Sequence, residues 1–297
     1  MSGKRPSHLC LYGLLGLCTV IWSINYIASK IALRELPPLV VAGVRTALAG
    51  LLILPVYFWF RSRRSQSDWT RRDIPILLVL GLFGVILNQV FFVVGVGRTS
   101  VAHAAIMIGL TPLLVLAMAT IIGQEKLSIG RLIGMATALA GVIVLQLTPA
   151  GGKAQPTLIG DFLVFLAALT FSAFTVLNKR LSRNFTAVTV NTFAFAGGGL
   201  ALLPLTGWQA SGVAFDRVSP TAWASVVFMA AFPSVLAYVT YSHVLQYVPA
   251  SRVSAFSYLQ PVLATILAIP ALDEHPTPSL IIGGSLVLLG VFLTERL

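Results

Sequence analysis

The chain has 297 residues, of which 57% are hydrophobic and 10% charged, and its formal net charge is +11. Soluble domains carry about 25% charged residues, so this composition, with a mean hydropathy of +0.91, excludes a soluble protein and predicts an integral membrane protein. The basic excess is typical of loop residues that set membrane topology, and no basic groove or aromatic-basic module suggests nucleic-acid binding.

Ten apolar segments are long enough to cross a bilayer, which takes about 20 residues per helix. Strands are excluded because these segments are continuously apolar and do not alternate. The first is interpreted as a retained span, not a signal peptide, because it continues past Trp22 without a cleavage-site pattern. The predicted spans are 9–32, 38–60, 74–96, 101–122, 129–148, 159–180, 187–206, 220–243, 250–271 and 278–294.

The distribution of Lys and Arg predicts the topology. An even number of spans places both termini on one side of the membrane. With that side taken as cytoplasmic, the inner loops and ends carry 14 basic residues and the outer ones carry 5. This bias predicts a multi-pass protein of the cell inner membrane with cytoplasmic N- and C-termini.

A fixed offset of 149 residues relates the two halves of the chain. It links Pro112 to Pro261, Glu125 to Glu274, Gly134 to Gly283, Gly141 to Gly290 and Lys30 to Lys179. The chain therefore divides into residues 1–150 and 151–297, with five predicted helices in each. Because five is odd, the second half enters the membrane from the opposite side. Inverted repeats are typical of secondary transporters with a substrate site near the midplane.

Several segments together carry a resemblance to a known family. They are WSINYIASKIAL (22–33), VRTALAGLLILP (44–55), QEKLSIGRLIGMATALAGVIVL (124–145) and VPASRVSAFSYLQP (248–261). In order and spacing they resemble the EamA-type repeat of the drug/metabolite transporter superfamily, over nearly the whole chain. The resemblance implies ten helices in two inverted five-helix halves and transport of small organic solutes, with amino-acid exporters among the members.

Charged residues are scarce at membrane depth. None of the nine acidic residues lies in the middle of a predicted span, although coupled carriers usually place a carboxylate or histidine there. Their absence favours a facilitator, or coupling through His103 or His243. Arg45 is the one charge well inside a span, and two interpretations remain open. It attracts a substrate carboxylate in a wet cavity, or it snorkels outward and binds helix carbonyls.

Polar and aromatic residues at mid-span are the remaining candidates for substrate binding, although each alone is also compatible with helix packing. Amides can bind a zwitterion, and aromatic faces can hold an apolar side chain or a cation. With Arg45, the predicted binding residues are Trp22, Asn25, Tyr26, Asn88, Met107, Phe171, Phe174, Asn191, Tyr238, Tyr241, Tyr258 and Gln260. Lys30 and Lys179 are predicted at the two entrances, and Pro112 and Pro261 are predicted to kink gating helices.

These features predict a transporter, not an enzyme, that exports or facilitates passage of small metabolites by alternating access, with amino acids of apolar or aromatic character as the leading substrates. One alternative is a nucleotide-sugar or sugar-phosphate carrier, which needs a more basic cavity. Others are a membrane-embedded enzyme for lipid-linked substrates, a channel or a scaffold. We expect no cofactor and no metal. The expected partners are the substrate and the lipid bilayer, with the protein a monomer or a homodimer.

Overall fold

A computed structural model describes residues 6–63, 68–99, 101–145, 157–272 and 278–296, and the regular elements within these ranges are all helical. The first half contains α1 (His8–Ala32), α2 (Pro38–Ser62), α3 (Ile74–Gly81, Leu82–Leu87 and Asn88–Val96), α4 (Val101–Gly109 and Thr111–Ile121) and α5 (Ile129–Leu145). The second half contains α6 (Leu158–Leu181), α7 (Ala187–Ala210), α8 (Pro220–Met229, Ala230–Leu236 and Ala237–Leu245), α9 (Ala250–Ala255, Phe256–Tyr258 and Leu259–Leu272) and α10 (Pro278–Arg296).

The helical membrane fold predicted from hydropathy is confirmed. Seven helices in the described ranges are long and apolar enough to span a membrane, and two shorter apolar helices accompany them, Ile106–Ile121 and Ile129–Leu145. The predicted fourth span is divided into two helical segments at Leu110 instead of running continuously. The predicted end of the fifth span, residues 146–148, lies outside the described residues, as do Asp273 and Glu274.

Loop carboxylates hold the starts of two helices in the second half. Glu35, between α1 and α2, accepts hydrogen bonds from the Ser219 backbone N–H at 2.6 Å and hydroxyl at 2.7 Å. These bonds hold the pKa of the Glu35 carboxyl below its usual value. Asp68 accepts from the Thr186 backbone N–H at 2.7 Å at the start of α7. A negative charge at a helix N-terminus is favourable because unpaired N–H groups and the helix dipole meet there.

Glu125 performs a similar role for α9. It accepts hydrogen bonds from the backbone N–H of Ser251, at 3.1 Å, and from the Ser251 hydroxyl. It also forms a salt bridge with Arg131 of α5 at 3.0 Å. The carboxylate at the α4–α5 corner therefore ties the two halves together.

Helix pairing follows the internal repeat. α5 packs on α10, α2 on α7 and α4 on α9, so each of these pairs joins equivalent helices. α3 packs on α6, and its equivalent pair, α8 on α1, is also formed. Exchanging the halves therefore maps this set of contacts onto itself, as expected for a duplicated five-helix unit.

Glycines permit the closest of these contacts. A Cβ on Gly141 would lie 2.6 Å from the Gly283 carbonyl oxygen, and one on Gly290 would lie 2.3 Å from the Ala138 backbone nitrogen. Real Cβ atoms do not approach backbone atoms so closely, so a side chain here would separate the helices. Small residues at helix interfaces let two backbones pack in van der Waals contact inside a membrane. The α5–α10 pair is a close-packed scaffold element.

Irregular segments also recur at the repeat spacing. α3 is π-helical over Leu82–Leu87 and α8 over Ala230–Leu236. Gly84 in the first segment is equivalent to Pro233 in the second, 149 residues later. π-helical turns frequently mark functional sites because they release carbonyl groups from the regular helical ladder.

The interruptions of α4 and α9 lie just ahead of Pro112 and Pro261. Each is braced by a serine of the opposite half. Ser172 of α6 donates to the carbonyl of Thr111 at 3.3 Å. At the equivalent position, Ser23 of α1 donates to the carbonyl of Gln260 at 3.2 Å. Both carbonyls immediately precede the proline, so two equivalent side-chain bonds hold the bent helices against their neighbours.

Candidate functional site: the central cavity

A central cavity lies between the halves, with about 900 Å³ of space between its walls, its open part included. Its wall is built from α1, α2, α3 and α4 of the first half and α6, α8 and α9 of the second. The described residues of α5, α7 and α10 are not part of the wall.

The structure brings nine of the predicted binding residues together around this cavity. They are Trp22, Asn25, Tyr26, Arg45, Asn88, Phe171, Tyr238, Tyr241 and Gln260. These residues are far apart in the chain and come from six helices, so the fold collects them at one place.

The other four predicted binding residues lie outside the wall. Phe174 is fully buried under Gly84, and Tyr258 is buried in the apolar cluster between α5, α9 and α10. Asn191 is also fully buried, and its amide donates to the Ser242 hydroxyl at 2.8 Å. Met107 is half-buried outside the wall, although its neighbour Ile108 belongs to it.

The predicted entrance and gating residues have distinct surroundings. The Lys179 ammonium group donates to the carbonyls of Leu245 at 2.6 Å and Val248 at 3.0 Å, and so fastens the end of α8 to α6. The side chains of Lys30 and His103 lie outside the described part of the structure. His243 is half-buried away from the cavity.

Gln89 and Phe92 are prominent wall residues that were absent from the predicted binding set. The internal repeat could have identified them as binding residues, because Gln89 and Phe92 lie 149 residues before the predicted binding residues Tyr238 and Tyr241. The wall contains six such equivalent pairs: Thr19 and Ala168, Trp22 and Phe171, Gln89 and Tyr238, Phe92 and Tyr241, Ile108 and Ser257, and Thr111 and Gln260. The cavity therefore lies at the centre of the pseudo-symmetric arrangement.

Four aromatic rings form one continuous surface of the cavity. The Trp22 ring centroid is 6.2 Å from that of Phe171, 5.9 Å from Tyr238 and 5.3 Å from Tyr241. Phe171 also contacts both tyrosines, with centroids 5.9 Å and 5.7 Å away. Edge-to-face and tilted pairs of this kind are favourable and rigid. They present an apolar, electron-rich surface to the cavity.

Carbonyl groups of the π-helical segments fix two of these rings. The Trp22 indole N–H donates to the carbonyl of Pro233 at 3.1 Å, and the Tyr238 hydroxyl donates to the carbonyl of Gly84 at 3.0 Å. Pro233 and Gly84 are equivalent in the two halves. The irregular turns of α3 and α8 thus serve the same purpose in both repeats, because each supplies an acceptor that orients a ring of the cavity wall.

Arg45 brings a positive charge to the wall and is only 6% exposed. Its Nε donates to the hydroxyl of Ser234 at 2.9 Å, and this hydroxyl donates to the carbonyl of Met229 at 2.9 Å. Among the described residues no carboxylate forms an ion pair with Arg45. The equivalent position is Ala194, so the charge is asymmetric.

Two amide oxygens of the wall lack partners. Asn25 Oδ1 and Gln89 Oε1 are buried and accept no hydrogen bond within the described residues. Native proteins leave few buried acceptors unpaired, because each costs about 1–3 kcal/mol. Asn25 lies one helical turn after Trp22, next to the aromatic surface. The wall thus combines one unpaired cation with two unpaired acceptors.

Membrane-spanning helices that pair according to an inverted repeat, around a central cavity lined by both halves, define the architecture of a membrane transporter. The family model of the EamA-like transporter family matches this chain twice, over residues 11–147 and 158–296. The protein belongs to this family.

The relatives that match this chain are named as transporters or exporters. The chain is 30% identical to an uncharacterized transporter of Archaeoglobus fulgidus, covering 95% of this chain and 96% of the relative. It is also 30% identical to the uncharacterized transporter YetK of Bacillus subtilis, over 95% and 86% of the two chains. A probable terminal-alkyne amino-acid exporter of Streptantibioticus cattleyicolor is 28% identical over 95% and 92%. One crystal structure matches with a TM-score of 0.79 at 22% identity, over 98% of both chains, which supports the fold.

Proposed function

We propose that the protein moves amino acids with apolar or aromatic side chains across the cell inner membrane, as an exporter or facilitator that works by alternating access. The observation that carries this proposal is Arg45, a cation in the cavity wall with no carboxylate partner among the described residues. A buried charge is expensive unless something pairs with it. A substrate carboxylate is the anion that this site lacks.

The unpaired acceptors extend this argument to the substrate's nitrogen. An ammonium group carries three donors and no acceptor. Small side-chain rotations would direct Asn25 Oδ1 and Gln89 Oε1 to the ammonium group of the substrate, where both oxygens would accept hydrogen bonds. With the carboxylate on Arg45, the wall then offers complementary groups to both charges of a zwitterion, and the aromatic surface formed by Trp22, Phe171 and the two tyrosines would hold its side chain.

The Streptantibioticus relative is named a probable terminal-alkyne amino-acid exporter. This name agrees with a substrate that has the charged groups of an amino acid and a compact apolar side chain. A nucleotide-sugar or sugar-phosphate carrier fits less well, because Arg45 is the only cationic side chain in the described wall. Di- and triphosphate groups are usually held by several cations.

We place residues 1–150 and 151–297 as the two repeats that rock against each other around the cavity, with both termini cytoplasmic. The basic residues, 14 inside and 5 outside in this orientation, support that topology. Pro112 and Pro261 lie beside the interruptions of α4 and α9, where bending is easiest, so these two helices are the proposed moving gates.

Flux measurements with matched substrates test the proposal. Protein in liposomes should carry labelled phenylalanine and leucine well above protein-free liposomes, whereas 3-phenylpropionate, which lacks the ammonium group, should move at least about tenfold more slowly. Gln89→Leu should lower phenylalanine flux about tenfold and leave the slow 3-phenylpropionate flux unchanged, because only the amino acid uses the amide oxygen.

Two outcomes of this experiment distinguish the ammonium contacts from the assignment of amino acids as substrates. Equal transport of phenylalanine and 3-phenylpropionate by the wild-type protein would refute the ammonium contacts but keep a carboxylate carrier. No flux of any amino acid in a broad panel, with protein shown to be inserted, would refute the amino-acid assignment. Thr137→Val, a change on the exposed face of α5, serves as the control and should transport normally.

Energy coupling forms a separate prediction. The described cavity wall contains no Asp, Glu or His, so it offers no carboxylate or imidazole to carry a proton with the substrate. An imposed pH gradient, acidic or basic inside, should leave the final distribution of phenylalanine between liposome lumen and buffer at equality. Accumulation that follows the gradient and collapses with a protonophore would contradict facilitated transport.

A further inference from the structure

A second cavity, which we call the side groove, lies apart from the central cavity. It is formed by the end of α2, Asp68 of the α2–α3 loop, the start of α7, the end of α8 with the two residues that follow it, and Leu14 of α1. It has about 1,180 Å³ of space, its open part included. On α8 the two cavities use different faces, because Tyr238 and Tyr241 line the central cavity whereas Val239 and His243 line the side groove.

The residue pattern at the end of α2 indicates that the side groove lies at the level of the membrane interface. Trp59 and Phe60, in the last turn of α2, are both exposed, and the guanidinium of Arg63 lies 4.1 Å from the centroid of the Trp59 ring. Exposed aromatic residues mixed with arginines are typical of the headgroup region. Phe60 and Arg61 of this turn line the groove itself.

The lining is amphipathic and contains one available cation. Leu14, Phe60 and Val239 provide an apolar surface. Arg61 is exposed, and its hydrogen bond within the described residues goes from Nη1 to the Tyr57 hydroxyl at 3.0 Å, which leaves its other donors free for a ligand.

The acidic residue of the groove does not neutralise Arg61. Both oxygens of Asp68 already accept hydrogen bonds at the start of α7, from the Thr186 backbone N–H at 2.7 Å and the Thr189 hydroxyl at 2.9 Å and 3.0 Å. No ion pair between Asp68 and Arg61 is formed within the described residues. The segment also carries Arg63, Arg71 and Arg72, so its surroundings are net positive.

Three residues that line the groove have chemically different equivalents in the other half of the chain. The repeat equivalents of Tyr57, Arg61 and His243 are Thr206, Ala210 and Val94. At these three positions the internal repeat therefore does not reproduce the side chains that line the groove.

We propose that the side groove binds one anionic phospholipid from the leaflet beside the α2–α3 loop, which is the cytoplasmic leaflet in the proposed topology. The lipid phosphate would pair with Arg61, since guanidinium groups bind phosphate oxygens in a bidentate manner. The upper part of an acyl chain would lie on Leu14, Phe60 and Val239. A net negative headgroup is preferred because the arginines nearby are not neutralised.

Thermal unfolding of the full-length protein in detergent tests this site, with phosphatidylglycerol, phosphatidylcholine or inorganic phosphate added. Phosphatidylglycerol should raise the unfolding temperature of the wild-type protein by about 5 °C at saturation. Arg61→Gln should abolish that shift. Arg63→Gln, which removes an arginine two residues away that does not line the groove, should keep it.

Several results would overturn the proposal. An equal shift in Arg61→Gln, or an equal shift with phosphatidylcholine, would exclude the anionic-lipid site. A shift with inorganic phosphate alone would show a phosphate site and exclude a lipid. If Arg61→Gln does not fold, native mass spectrometry of Arg61→Lys tests the site instead. The Arg61→Lys protein should retain less co-purified phosphatidylglycerol than the wild-type protein, and undiminished retention would contradict the role of the guanidinium.

Discussion

Arg45→Gln is expected to reduce phenylalanine flux in liposomes about 100-fold. Removing one partner of a buried charge pair costs about 2–5 kcal/mol, and about 1.4 kcal/mol corresponds to a factor of ten. Among the described residues no carboxylate pairs with Arg45, so removing this charge should not destabilise the fold. Unfolding temperature and flux should therefore change independently, and this separates a binding role from a structural one.

Two further variants sharpen the Arg45 experiment. Arg45→Lys keeps the charge but loses the planar, two-pronged donor geometry, so it should recover part of the flux. Arg34→Gln makes the same chemical change in the exposed loop between α1 and α2 and should behave as wild type.

Variants of Arg45 and Gln89 should differ in which substrates they affect. Arg45→Gln should impair phenylalanine and 3-phenylpropionate alike, because both carry the carboxylate, whereas Gln89→Leu should affect phenylalanine alone. Normal phenylalanine flux in folded Arg45→Gln would remove Arg45 from the binding site and leave snorkelling or helix contacts as its role.

The helical membrane fold and the positions of its apolar helices could be predicted because they depend on local composition over one helix. The repeat was visible for a similar reason, since Pro112, Glu125 and Gly141 recur at a fixed offset without any knowledge of contacts. Depth in the membrane also follows from position along a helix, which is why most predicted binding residues line one cavity.

The direction in which a side chain points was harder to predict. Asn191 and Tyr238 were both polar mid-span candidates, but Asn191 bonds to Ser242 between helices whereas Tyr238 faces the cavity. Which neighbour covers a given helix face is a tertiary property. The π-helical segments of α3 and α8 were not predicted either. Gly84 of the first segment and Pro233 of the second occupy equivalent positions, but neither residue alone predicts a π-helical turn.

Gly290→Leu is expected to prevent recovery of folded protein, and Gly290→Ala to lower stability by about 1–3 kcal/mol, the usual cost of overpacking. A Cβ at this position would lie 2.3 Å from the Ala138 backbone nitrogen and 2.5 Å from the Gly134 carbonyl oxygen. Backbone atoms cannot rotate away as a side chain can, so the whole α5–α10 contact must open. Because these helices pack on each other along their lengths, the cost is shared by both repeats.

Gly13 provides a control that separates the backbone clash at Gly290 from the general effect of replacing a helical glycine. Gly13 is likewise inside a helix, but a Cβ there would meet nothing within 4 Å. Gly13→Ala should therefore be neutral or stabilise by up to about 1 kcal/mol, because alanine favours the helix. Thermal unfolding and size-exclusion profiles of both alanine variants provide the comparison. Equal stability of Gly290→Ala and Gly13→Ala would show that α5 and α10 are not held at backbone contact, and that the scaffold around the cavity is looser than the structure shows.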